Sequence, residues 1–298
     1  MTSGERIRMI LESAFAKLPE LLTRNFGQQE TFEATVQHLL AVAVHMELDS
    51  RNISRAYERV ITERPYPNKG SAGKQLHADL WVDFQGLVAD YDRMVQYGWR
   101  PENWIEIKAY MSASRGGSAP LRTANVGRML ADLLRLCLLP NEGGADLNGR
   151  YLLVVADRSI ESYLAFGSRT WLTNLFAVGK RTLQVNLATE RKSVWKPIFP
   201  GVHAPDLLMD LTVNTMAFGP MRFHPDAQEW PPLFWGFLIN TLAFEITFRD
   251  NCVKYDSMEA SYWDSQGAWN RRLWTSQELS RLDQTRTAIF EAMRPSET

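Results

Sequence analysis

The chain has 298 residues, enough to bury a large core as one elaborated domain or as a core domain with an appendage. Lys and Arg number 33 against 34 Asp and Glu, a formal net charge of -1, which excludes a globally basic nucleic-acid binder and leaves phosphate affinity to local patches. Two cysteines, early charges at Glu5, Arg6 and Arg8, and no apolar run of membrane-spanning length predict no disulfide framework, no secretory signal and no membrane contact, hence a cytoplasmic protein.

Residues 4–24 place Ile7, Ile10, Leu11, Ala14, Leu18, Leu21 and Leu22 at helical spacing, and Pro19 should kink or divide that helix. A second helix over 31–48 carries Phe32, Val36, Leu39, Leu40 and Ala43 on one stripe, with Glu30, Glu33 and Gln37 on the opposite edge. Glu33 is a candidate metal ligand there, set against the ordinary meaning of such residues, a solvated helix face. Residues 56–63 read as a first strand, with helix as the alternative. The two prolines and glycine of 64–70 predict a loop.

Residues 76–84 then alternate with period two, with Ala78, Leu80, Val82 and Phe84 on an apolar side and His77, Asp79, Trp81 and Asp83 on a polar one. Residues 104–110 repeat the pattern: Ile105, Ile107 and Ala109 point one way, Trp104, Glu106, Lys108 and Tyr110 the other. The intervening residues 80–105 are too many for a tight hairpin, so the connection is elaborated. If the two strands pair, Asp79, Glu106 and Lys108 meet on one surface.

A flexible loop over 112–120 ends in Ser118 and Pro120, cap and first-turn residues for a helix over 121–139. That helix carries Met129, Leu130, Leu133, Leu134, Cys137 and Leu138 at its apolar positions. Residues 151–156 are a nearly continuous apolar run, as in a central strand buried on both faces. Strand, strand, helix and buried strand make an α/β fold, a mixed central sheet flanked by helices.

In the second half, 160–178 reads as partly helical, 208–216 and 237–248 alternate as strands, and Tyr262, Trp263, Trp269 and Trp274 form an aromatic stretch. Thr275 and Glu278 make a capping box that opens a terminal helix with Leu279, Leu282, Ile289, Phe290 and Met293 facing inward. The chain thus divides into a helical segment 1–29, an α/β core 30–158 and an α+β C-terminal extension 159–298. Lys180, Arg181, Arg191, Lys192 and Lys196 cluster around Trp195, either a nucleic-acid contact or a solvated loop.

Phosphodiester hydrolysis needs a divalent cation that polarises the phosphate and lowers the pKa of a bound water. Mg2+ takes hard oxygen ligands, typically one or two carboxylates with water and substrate. Asp79 and Glu106 supply the carboxylates, the Ile107 carbonyl a further oxygen, and Lys108 orients the water or stabilises the transition state.

The pattern resembles the PD-(D/E)XK, or restriction-endonuclease-like, nuclease superfamily. Ala78-Asp79 stands where that family has Pro-Asp, and Glu106-Ile107-Lys108 matches its acid-any-lysine strand. The likeness covers about residues 30–158 and implies metal binding by Asp79 and Glu106, with Mg2+ or Mn2+ as cofactor, and assistance to the nucleophile by Lys108. The long spacing leaves Asp83 as a rival first ligand, Asp90 and Asp92 as more distant ones, and His77 as a candidate ligand or base.

Arg115, Arg122 and Arg128 beside the following helix, with Lys180 and Arg181, are the candidate nucleic-acid contacts. The sequence therefore predicts an endonuclease acting on DNA in restriction, phage defence or mobile-element processing, where a homodimer would bring two sites to the two strands. The extension would select substrate, dimerise or bind a protein partner through its aromatics. The alternative is a non-catalytic interaction protein on the same scaffold, its Asp–Lys pair an ordinary cross-strand contact.

Overall fold

The computed structural model describes residues 6–7, 10–25, 32–69, 75–89, 100–110, 122–139, 148–164, 166–167, 169–202, 205–221, 234–256, 262–263, 269–270 and 275–293. A two-residue strand β1 (Arg6–Ile7) precedes helices α1 (Ile10–Asn25), α2 (Phe32–Ser50) and the single turn α3 (Ala56–Arg59). Strands β2 (Val60–Lys69) and β3 (Gln75–Asp83) follow, then β4 (Val88–Ala89), which pairs in parallel with β1, and β5 (Glu102–Tyr110). Helix α4 (Arg122–Cys137) leads to β6 (Asn148–Ala156) and the short helices α5 (Ile160–Leu164) and α6 (Thr170–Phe176). After β7 (Gly179–Asn186) come α7 (Lys192–Trp195), β8 (Leu207–Met221), β9 (Phe234–Phe248), β10 (Asn251–Asp256), the small pair β11 (Tyr262–Trp263) and β12 (Trp269–Asn270), and α8 (Ser276–Ala292).

One eight-stranded sheet organises these elements, in the order β2-β3-β5-β6-β9-β8-β7 with β10 beside β9. β5 and β6 pair in parallel, with α4 as the crossover such a pair requires; the other pairings are antiparallel. The fold is mixed α/β. β6 pairs with the first half of β9 and β10 with its second half, so residues of the C-terminal half extend the sheet begun at β2.

Each sheet face has its own core. α1 and α2 cover one face through Leu11, Phe15, Leu18, Val36, Leu40 and Val44, packed on Leu80, Val82, Ile105, Ile107 and Leu153. Helices α4 to α8 cover the other, with Leu130, Leu133, Leu172, Trp195 and Ile289 packed on Trp104, Leu152, Val154 and Ile246. The alternation within β5 thus feeds both layers, Ile105 and Ile107 one way and Trp104 and Tyr110 the other. All nine residues of β6 are buried, as its apolar run requires.

Four local expectations are corrected. Arg6 and Ile7 form a strand, and the helix starts at Ile10. That helix runs undivided through Pro19, because the buried row Phe15, Leu18 and Leu22 outweighs the single backbone bond that proline removes. Residues 64–69 are strand, not loop: β2 is the sheet edge, where proline costs no ladder bond, and buried Tyr66 pins it. Trp81, assigned to the polar side of β3, is buried together with Ala78 in the α4-side core. The capping box of Thr275 and Glu278 forms as expected. Among the described residues no helix is long and apolar enough to cross a membrane.

α4 lies against α7 at Gly127, where a Cβ would meet the Val194 carbonyl oxygen at 2.0 Å. Gly127→Ala is therefore expected to destabilise the protein by about 2 kcal/mol through overpacking, partly offset by alanine's better helix propensity. A thermal melt should show a Tm fall of roughly 5 °C, and an unchanged Tm would contradict this packing.

Candidate active site

β3 and β5 pair from Asp83 opposite Glu102 to Leu80 opposite Ile105, and there the ladder ends. The next residue on β3 is Asp79 and the next on β5 is Glu106. A fork between strands frees backbone groups that need new partners when buried. Side chains supply them. Asp79 Oδ2 accepts from the Ile107 N–H at 2.6 Å. Gln37 on α2 donates through Nε2 to the Asp79 carbonyl at 2.6 Å and to Glu63 Oε1 at 2.8 Å. Lys108 Nζ donates to the Ile107 carbonyl at 2.8 Å.

The α4 side of the fork is a charge network. Glu106, only 3% exposed, accepts from the Tyr66 hydroxyl, and Arg135 Nε lies 3.7 Å from its Oε1. Tyr66 is held by stacking on Trp104, centroids 5.4 Å apart. Lys108 Nζ lies 3.1 Å from Asp132 Oδ2 and 3.3 Å from Glu33 Oε1. Asp132 and Arg135, one turn apart on α4, pair with each other, so the helix ties Lys108 and Glu106 together from above. Glu33 is half exposed, which places the mouth of the site at the start of α2.

Four carboxylates face two cations here, and the excess is felt by Asp79. Burial and then the Glu106 charge raise its pKa from 3.8 to about 7, with Glu33 adding to the rise; the Ile107 N–H and Lys108 oppose it. Burial and the Glu106 charge likewise push the Tyr66 hydroxyl well above its ordinary value, so it remains a donor.

Hard oxygens are thus concentrated where a cation would relieve repulsion. Among the described residues no three Asp, Glu, His or Cys side chains form a ready-made metal cage. The available set is two carboxylates, Asp79 and Glu106, and the Ile107 carbonyl, which suits Mg2+ or Mn2+ completed by water rather than a fully protein-bound ion.

Of the residues singled out in the sequence, Asp79, Glu106, Ile107, Lys108 and Glu33 come together. Asp83 does not: it sits about 13 Å along β3 from Asp79, opposite Glu102, and accepts from the Gln85 N–H at 2.7 Å. His77 is exposed on β3 opposite Pro65. Arg122 and Arg128 are exposed on α4, and Lys180 and Arg181 on β7, at the other end of the strand order from β2. Trp195, the centre of the expected basic cluster, is instead buried in the core. Arg115, Asp90, Asp92, Ser118 and Pro120 lie outside the described residues.

Tyr66, Gln37, Asp132 and Arg135 complete the network without having been assigned to it. Only Asp132 left a trace, as an acidic residue next to Leu133 and Leu134 inside an apolar helical run. No protein-family model, no curated protein and no solved structure matches the chain.

Proposed function

We propose that the chain is a divalent-metal-dependent nuclease of the PD-(D/E)XK type, hydrolysing phosphodiester bonds in DNA. The observation that carries this reading is the Asp79 carboxylate seated in the fork between β3 and β5, bonded to the backbone of Glu106-Ile107-Lys108. Sheet order supports it: an antiparallel run β2-β3-β5, the crossover α4, and β6 parallel to β5 on a strand buried on both faces.

Asp79, Glu106 and the Ile107 carbonyl would hold Mg2+ or Mn2+, which when bound supplies Lewis acidity toward the phosphate and acidifies a water. Tyr66 and Arg135 fix the Glu106 carboxylate in one orientation. Asp132 and Glu33 hold the Lys108 ammonium beside Ile107, where it orients the attacking water and offsets charge developing on the phosphate. Gln37 holds the β3 arm of the fork at a fixed distance from α2.

The direct test incubates the purified chain with supercoiled plasmid and with single-stranded DNA in Mg2+ or Mn2+. Cleavage of at least one substrate is expected, stopped by EDTA and restored by excess metal. Intact substrates under all four conditions would overturn the nuclease reading, and retained DNA binding without cleavage would favour a non-catalytic interaction protein on the same scaffold.

A further inference from the structure

Strands β2 and β3 both change faces at the level of the fork, and they change together. In a regular strand, residues two apart share a face. On β3, Leu76 and Ala78 pack on the α4 side of the sheet, whereas Leu80 and Val82 pack on the α1–α2 side. On β2, Ile61 and Tyr66 both pack on the α4 side, although an odd spacing separates them. The two strands keep one register across the change, with Thr62 opposite Leu80 and Arg64 opposite Ala78. The rung between those pairs, Glu63 with Asp79, is missing.

Glu63 makes the turn. Its φ is 53°, in the left-handed region that costs any residue with a Cβ and that glutamate seldom adopts. The other non-glycine residues with positive φ among the described residues, Asn52, Arg55 and Arg249, lie between elements; Glu63 lies inside a strand. Glu63 is exposed, yet its carboxylate is engaged. Gln37 Nε2 donates to Glu63 Oε1 at 2.8 Å and to the Asp79 carbonyl at 2.6 Å, so one side-chain nitrogen on α2 spans the missing rung. A costly backbone conformation held inside a strand, with the side chains beyond it re-aimed, is the behaviour of bulges beside functional sites.

We infer that Glu63 is a positioning residue of the candidate metal site. Its left-handed backbone shifts both strands by half a period. The shift leaves Asp79 off the ladders on either side, with its carboxylate on the Ile107 N–H, and it turns Tyr66 to the side of the sheet where Glu106 lies. Without it, alternation from Ile61 would point Tyr66 toward α2, away from Glu106. The carboxylate of Glu63 holds the turn through Gln37, which fixes the β3 arm at the same point. This role rests on the reading of Asp79 and Glu106 as metal ligands; the change of face does not.

The test is isothermal titration calorimetry of the full chain with Mn2+ at pH 8, beside thermal melts in EDTA. Glu63→Gly keeps the backbone turn, which glycine adopts freely, and removes the hold on Gln37. It should weaken Mn2+ binding roughly tenfold, as loss of a residue that orients a ligand does. Its Tm in EDTA should be no lower than wild type, because relief of the left-handed cost offsets the lost hydrogen bond. Glu63→Gln keeps an acceptor for Gln37 and should bind Mn2+ within about threefold of wild type. Asn52→Gly, at a left-handed residue beyond the far end of α2, should leave binding unchanged. Glu63 loses this role if binding and Tm fall together in Glu63→Gly, if Glu63→Gln loses as much affinity, or if Asn52→Gly does. A wild type that takes up no Mn2+ overturns the metal reading and the role together, whereas Mn2+ bound by Glu63→Gly as tightly as by wild type overturns the role alone.

Discussion

Lys108→Ala is expected to lower the metal-dependent cleavage rate by about 10²- to 10⁴-fold, the range over which a positioned acid–base or charge-stabilising group acts. The side chain is 16% exposed, and its ammonium sits among the Ile107 carbonyl, Glu33 and Asp132. Truncation removes the one cation that reaches the fork from β5 itself. The other, Arg135, is committed to Asp132 and Glu106 and cannot follow. The fold should survive: Asp132 keeps Arg135, Glu33 is half exposed, and a cost of about 1–2 kcal/mol for the lost partner is small against the two cores.

Lys108→Arg should not rescue the rate, because a planar guanidinium cannot occupy the compact position between three oxygens. Plasmid-cleavage rates with a thermal melt of each variant decide the matter. A rate within twofold of wild type at unchanged Tm would remove Lys108 from the reaction.

What the sequence made legible was whatever depended on local period. The helical stripe of α2 and the apolar run of β6 reflect faces that must be buried, and the structure buries them; in the alternating stretches Leu80, Val82, Ile105 and Ile107 share one core as expected, whereas Ala78 joins Trp81 and Trp104 in the other. The long spacing between Asp79 and Glu106 hid less than expected, since register depends on which residues pair and not on the length of the connection between them. Two prolines suggested a break at 64–69, but on an edge strand they cost little, and the strand carries Tyr66 to Glu106.

The α4 contribution was hidden for a different reason. Asp132 and Arg135 look like an ordinary helical i, i+3 pair, and only the docking of α4 over β5 turns them toward Lys108 and Glu106. Likewise Gln37 reads as a polar edge until the fork presents it with an orphaned carbonyl. Non-local satisfaction of freed backbone groups has no sequence period, so it cannot be read from one.

Asp79→Asn is expected to abolish cleavage and, in metal-free buffer at pH 8, to make the protein more stable than wild type. The Asp79 carboxyl titrates at about 7 in the folded protein against 3.8 unfolded, because burial and Glu106 disfavour its charge. A raised folded pKa means that folding favours the protonated form. The stabilisation is fully present below about pH 4 and is lost as pH rises through 7, on the order of 3 kcal/mol by pH 8 after allowance for the carboxyl's remaining contact with water. Asparagine stays neutral, and its carbonyl oxygen can still accept from the Ile107 N–H, so it escapes that loss.

In EDTA the variant's Tm should match wild type near pH 4, pull ahead as the pH rises, and exceed it by several degrees at pH 8. Mg2+ should reverse the order: a cation bound at Asp79 replaces the proton, so wild type gains Tm at pH 8, gains little at pH 5, and the variant gains at neither. A charge kept at a cost in stability is what a cation site requires, and a merely structural carboxylate would show the opposite, with asparagine destabilising at every pH. If Mg2+ shifts both proteins equally, or if the variant is never the more stable, the fork is not where the ion binds.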